Sequence, residues 1–225
     1  MQHSTRASGL TSPDPTPALA IFRAEMRDGL QWTYRHRTLG PLAASTHVWF
    51  LANGAAMTVL SLLALRSLGF TAYAFGMLLT AFGITSLVGA STAPRCGARI
   101  GSGRVIILAR MAYPIAWLLV AIGSPAGVGD ALLFVALALQ GLAAGIENSN
   151  EMGYWQALTP DELLGRANAT RRSINRTTAA LGALIAGLLV GLIGDRPTLI
   201  AVIIAFAVAA LTAALSPLRE APNKD

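Results

Sequence analysis

Gln140 to Arg176 reads QGLAAGIENSNEMGYWQALTPDELLGRANATRRSINR, and the rest of the chain is organised around it. An apolar run arriving through Leu132, Phe134 and Leu139 turns polar at Glu147, passes a short amphipathic segment, meets an arginine cluster and becomes apolar again at Ala179. That profile predicts a chain that leaves a bilayer, follows its surface and re-enters. Within the polar part, Thr159 is placed to cap a helix begun by Pro160, with Asp161 and Glu162 favourable against the N-terminal dipole. Leu163 and Leu164 then face lipid or the helix bundle. Arg166, Arg171 and Arg172 mark the connection as cytoplasmic, because positively charged loops are retained on that side.

Composition agrees with a membrane protein. Of 225 residues, 54% are hydrophobic and 12% charged, with a mean hydropathy of +0.56; a soluble domain carries about 25% charged residues. The net charge of +6 does not point to nucleic acid, because the basic residues sit in short clusters between apolar runs rather than along one face. The lone Cys96 rules out an intramolecular disulfide framework and offers no metal-ligand spacing. Residues 1–16 contain no apolar core of a signal peptide and are expected to form a disordered tail. Over 17–38, Phe22, Met26 and Leu30 recur at helical spacing among Arg23, Arg27, Asp28, Arg35 and Arg37. This predicts a cytoplasmic amphipathic linker helix, lying on the membrane surface or packed on another cytoplasmic element.

The bundle is expected over 39–218. Thr38 to Leu65 and Ser67 to Pro94 contain no Asp, Glu, Lys or Arg, and each window exceeds the ~20 residues that cross a bilayer. Pro94 to Arg104, PRCGARIGSGR, reads as a basic glycine-rich loop before a third span through Ile122. The uncharged part of the fourth span, Ala131 to Ile146, is short of ~20 residues, so Glu147 and Asn148 must reach at least the membrane boundary. A fifth span runs from about Asn175 to Gly194, and Asp195-Arg196-Pro197 turns the chain into a sixth ending near Leu215. With both ends inside, Arg66 and Arg196 alone of the loop cations lie outside, and 219–225 forms a cytoplasmic tail. The expected fold is an all-α membrane protein of six transmembrane helices in one bundle.

A few residues stand out against the apolar background. Asn53 and Gln140 fall near the middle of their spans, where a polar side chain needs an internal partner or a water-filled cavity. They are candidate substrate contacts, or partners in an interhelical hydrogen bond. Trp49 lies one helical turn from Asn53 and joins it as a candidate, with packing as the alternative. Arg110 and Glu147 are ionisable residues inside otherwise apolar segments at similar depths on consecutive spans, so they are expected to pair. Glu147 is a candidate for proton coupling; a purely structural ion pair is the plainer role. Gly141 with Gly145 and Gly187 with Gly191 form G-x-x-x-G pairs expected to serve close helix packing. No P-loop, dinucleotide fingerprint, serine elbow or metal spacing occurs, which argues against an enzyme and against a cofactor or metal.

QALTPDELLGRANA, APRCGARIGSGRV and FRAEMRDGLQWTYRHRTLGPL together resemble the major facilitator superfamily, in particular the C-terminal half of its drug and siderophore exporters, which include macrolide-efflux and enterobactin-exporter proteins. The resemblance covers about Ile21 to Leu218, and its most specific part is the loop carrying Thr159, Pro160, Asp161, Gly165 and Arg166. It implies half of a twelve-helix fold, with the first, second, fourth and fifth spans around a central cavity and the third and sixth outside. It also implies a second six-helix half as partner, supplied by an N-terminal bundle or a second copy. The basic loop departs from the family pattern in carrying no acid between Pro94 and Arg104.

The function expected is therefore that of a transporter half in the plasma or bacterial inner membrane, exporting small molecules such as drugs or siderophores by alternating access, with proton exchange as energy source. Its partners are the lipid bilayer, a small-molecule substrate and the second half. A non-transporting membrane scaffold, or an inactive transporter fragment, is the alternative.

Overall fold

A computed structural model describes residues 18–123 and 129–220. The tail expected over 1–16, residues 124–128 and the chain beyond 220 lie outside the described residues. Helix α1 (Ala18–Arg35) precedes six long helices: α2 (Leu39–Leu62), α3 (Ala72–Ile100), α4 (Ser102–Gly123), α5 (Gly129–Leu158), α6 (Asp161–Ile193) and α7 (Asp195–Ala214). All six are long and apolar enough to cross a membrane, and among the described residues there is no strand. The all-α, six-span expectation is met. We call the end of the bundle that carries α1 basal and the other end apical.

Local chemistry explains the helix ends. At the start of α2 the His36 ring accepts from the Thr38 and Leu39 amides at 3.2 Å each, satisfying donors that Thr38 leaves uncapped. Leu63–Ser67 prolongs α2 as a π-helical turn, and the Thr71 hydroxyl opens α3 by accepting from the Ala74 amide at 3.1 Å. Gly101 and Gly194 each form a one-residue joint, both at φ +87°, a conformation that L side chains rarely adopt.

Three expectations about the connections are corrected. Pro94 to Arg104 is not a loop: α3 stays helical through Pro94 and Arg99 to Ile100, and Gly101 alone breaks the chain. A proline costs one backbone bond but need not end a helix held along its length, and here Asn150 on α5 donates to the Ala93 carbonyl at 3.2 Å beside it. The chain also does not follow the membrane surface between Glu147 and Arg176, because α5 stays helical to Leu158 and α6 begins at Asp161. Hydropathy cannot separate a polar helix that projects past the bilayer from a loop. Thr159 does not cap α6: Pro160 occupies that position, and the Thr159 hydroxyl is buried without a hydrogen-bond partner.

The packing has an internal symmetry. Around the bundle the helices follow the order α3, α5, α4, α7, α2, α6, so that α4 against α7 forms the centre and α3 and α6 the two ends. Exchanging α2, α3, α4 for α5, α6, α7 maps the contacts onto themselves: α3–α5 becomes α6–α2, and α4–α5 becomes α7–α2. The one-residue glycine joints follow the same exchange, Gly101 linking α3 to α4 at the basal end and Gly194 linking α6 to α7 at the apical end. This is the pattern of two three-helix units of inverted topology.

Glycines seat the outer helices. A Cβ on Gly54 would strike the Ala179 carbonyl and one on Gly182 the Leu51 carbonyl, so α2 and α6 touch backbone to backbone. The equivalent contact joins Gly89 to Leu142 and Gly145 to Ser86 between α3 and α5, with Gly141 against Phe82. Gly187 and Gly191 differ from their expected packing role, since nothing among the described residues lies within 4 Å of a Cβ at either position. Their face of α6 is open.

Candidate functional site

Arg110 is the centre of the polar interior. It sits on α4 with 1% of its surface exposed, beside the aromatic stack in which Tyr113 lies 5.5 Å and Trp117 6.2 Å from the Phe206 ring. A charge so buried is tolerable only when it is paired and hydrogen-bonded, and four of the five N–H donors of Arg110 are used. Its Nε donates to Glu147 Oε1 at 2.6 Å, Nη2 to Glu151 Oε2 at 2.9 Å and to Thr46 Oγ1 at 2.6 Å, and Nη1 to the Ser45 hydroxyl. Ser45 in turn donates to the Ala209 carbonyl at 2.6 Å. One guanidinium thereby ties α4 to α2, α5 and, through Ser45, α7.

Every oxygen of the two carboxylates accepts a hydrogen bond. Glu147 Oε2 accepts from the Tyr113 hydroxyl at 2.6 Å. Glu151 Oε1 accepts from Arg171 Nη1 at 2.9 Å and from Trp155 Nε1 at 3.2 Å, and the Arg171 guanidinium lies 4.7 Å above the Trp155 ring. Arg171 also donates to Asn168 at 3.2 Å. Two arginines thus face two glutamates, and the buried set is neutral.

This network forms one wall of a cavity of about 440 Å³. α2 contributes Trp49, Phe50 and Asn53; α3 contributes Ser86 and Ala90; α5 contributes Glu147, Asn148 and Glu151; α6 contributes Arg171, Arg172, Asn175 and Arg176. The first, second, fourth and fifth spans therefore surround it, as the resemblance implies, and Tyr113 reaches in from the third. Asn175 joins a second polar chain: its Oδ1 lies 2.6 Å from His47 Nδ1, and His47 Nε2 lies 2.5 Å from the Tyr34 hydroxyl. With the amide oxygen accepting, the Nδ1 proton faces Asn175 and Nε2 accepts from Tyr34. α1 is connected by this route to the cavity wall.

The sequence-derived candidates are distributed as follows. Arg110 and Glu147 meet directly. Asn53 and Trp49 both line the cavity, whereas Gln140, 1% exposed, stands behind it and donates to Asn53 Oδ1 at 3.3 Å. Trp49 packs edge-on against Phe50 and Tyr113 at 4.9 and 5.3 Å, and its indole N–H has no acceptor. The loop residues do not join the cavity. Asp161 and Gly165 are exposed, and Arg166 lies 3.7 Å from Asp28 of α1, where Gly29 abuts the Arg166 carbonyl. α1 is therefore packed on the basal part of α6. Sequence reasoning did not bring Ser45, Thr46, Tyr113, Glu151, Arg171 or Asn175 to the site. The signal available was a helical one: Glu147, Glu151 and Trp155 recur at four-residue spacing, as do Arg171 and Asn175.

No curated protein matches the chain. The family model described as Major Facilitator Superfamily matches residues 42–225, which takes in nearly all of α2 and everything after it, the whole cavity included. With six membrane-spanning helices around a polar cavity, this chain belongs to the Major Facilitator Superfamily and is a multi-pass transmembrane transporter of small molecules.

Proposed function

We propose that the chain is one six-helix half of a proton-coupled exporter of small molecules such as drugs or siderophores, residing in the plasma or bacterial inner membrane with its basal end in the cytoplasm. The observation that carries this reading is the position of Glu147, which lines the cavity while bridging Arg110 and Tyr113. Ionised, it locks α4 to α5. Protonated, it loses its charge pairing with Arg110 and frees α4 to shift against α5, so that proton uptake biases the cavity between its two access states. Asn53 and Trp49 would contact substrate, with Gln140 fixing the Asn53 amide. The orientation is supported by Arg95, Arg99, Arg104 and Arg166 at the basal end, against Arg66 and Arg196 at the apical end. Residues 159–166 would act as the basal latch that holds α1 against α6.

The test is reconstitution at high protein density with an imposed proton gradient and a panel of lipophilic drugs and siderophores. Glu147→Gln should abolish gradient-driven movement while retaining exchange of substrate for substrate. Undiminished gradient-driven transport in that variant would refute the coupling role, and absence of any saturable movement by the native protein, both at high density and with a separate N-terminal bundle added, would refute the exporter reading.

A further inference from the structure

The cavity wall holds more positive than negative groups. Arg110 and Arg171 are matched by Glu147 and Glu151. Arg172 and Arg176 line the same cavity, exposed and one turn apart on α6, and among the described residues neither has an acidic partner. Like charges at this spacing repel, and no carboxylate among the described residues pairs with either. The positive-inside tendency accounts for arginine at this end of the bundle but not for its placement in a cavity wall.

Hydrogen-bonding capacity tells the same story independently. Among buried side-chain atoms of the lining residues, those without partners are Trp49 Nε1 and Arg171 Nε, both donors. Among these buried atoms the unused capacity is all donor, while each carboxylate oxygen of Glu147 and Glu151 already accepts. A cationic occupant would add to the surplus; an occupant bringing negative charge and acceptor oxygens would use it. Trp49, Phe50 and Tyr113 supply aromatic faces beside these donors.

We infer that the cavity takes a small organic anion, a carboxylate, sulfonate or phosphate on an apolar or aromatic body, with Arg172 and Arg176 as its charge-selecting residues. This rests on the cavity being the substrate site of the proposed exporter, and narrows its substrates to the anionic members of the classes considered. The headgroup of an anionic phospholipid shares the same chemistry, so the experiment must separate the two sources.

The full chain in phosphatidylcholine nanodiscs is titrated with three probes of one shape: 2-naphthoate, 2-naphthamide and 2-naphthylmethylammonium. Naphthoate should bind at least about tenfold more tightly than the other two, the size of effect expected from charge-assisted hydrogen bonds. The double variant Arg172→Gln/Arg176→Gln, checked for monodispersity, should lose that preference, while Arg99→Gln on the exposed end of α3 should keep it. Equal or tighter binding of the amide or ammonium would overturn the anion inference and leave the cavity as a binding site. No binding of any probe would overturn both the inference and the cavity's role as substrate site. Loss of naphthoate binding when phosphatidylglycerol replaces part of the lipid would assign the two arginines to headgroups and overturn the inference as stated.

Discussion

Arg171 Nη1 lies 2.9 Å from Glu151 Oε1, and through this contact α6 is fastened to the buried charge network centred on Arg110. The two residues are separated by the break at Thr159 and Pro160, so the stretch with the most loop-like composition supplies part of the buried charge network.

Arg110→Met should be strongly destabilising. It leaves the carboxylates of Glu147 and Glu151 with one guanidinium between them, and breaking a buried pair from one side costs about 3–5 kcal/mol. Adding Glu147→Gln should recover part of the loss by removing the orphaned charge. A charge exchange, Arg110→Glu with Glu147→Arg, should recover less, because the new carboxylate at 110 faces Glu151. Thermal unfolding in detergent, followed by size-exclusion recovery, ranks the three; equal recovery by both double variants would show that Glu151 does not belong to the network.

The reach of sequence reading can be argued from these residues. The charge-poor windows located six spans, because a bilayer imposes its thickness on every crossing helix. Helical rise counted from Arg104 and Glu151 was enough to put Arg110 and Glu147 at one depth. Glu151 and Arg171 were harder, since polar composition made their surroundings read as surface chain and their pairing depends on two helices folding back on each other. The glycines tell a similar story. Gly141 and Gly145 carry a recognisable spacing, but Gly54 with Gly182 and Gly89 with Gly145 are matched across helices, and no spacing within one segment reveals them.

Gly145→Ala and Gly187→Ala should therefore behave oppositely. At 145 the added methyl meets the Ser86 carbonyl, and α3 and α5 must separate at a cost of about 1–3 kcal/mol or more. At 187 there is nothing within 4 Å, so the substitution should be neutral or gain up to ~1 kcal/mol of helix propensity. Unfolding midpoints of the isolated chain check this, and a destabilised Gly187→Ala would reveal a packed face there.

Single cysteines in a background lacking Cys96 test the orientation. Asp130 and Arg66 are exposed at the apical end, Arg99 and Arg166 at the basal end. An impermeant thiol reagent on intact cells should label cysteine at 130 or 66 and spare 99 and 166. Labelling at 99 with protection at 130 would invert the topology.

Single copies of this chain should not carry out coupled transport. The cavity lies between α3 and α6, the two helices least covered by the rest of the chain. Their outer faces are apolar, with Leu87 on α3 73% exposed and Leu192 on α6 80% exposed, and Gly76, Gly83, Gly187 and Gly191 leave open backbone along them. The cavity residues Asn148, Arg172 and Arg176 are exposed as well. Facing hydrocarbon, such groups are unfavourable, and alternating access requires a second wall that moves against the first. A second bundle is therefore expected to dock on α3 and α6, closing the cavity and seating against their open glycines. An N-terminal bundle can provide it, and so can a second copy inserted the same way, because the two halves of these carriers are related by an axis along the membrane normal. The measurement is reconstitution at one chain per vesicle, with fluorescence counting of copies and uptake driven by an imposed proton gradient. Saturable transport by single copies would defeat the expectation. Activity that begins at two copies, or on addition of a separate N-terminal bundle, would identify the partner; substituting Gly187 and Gly191 with leucine should then abolish that activity while sparing the fold of the isolated chain.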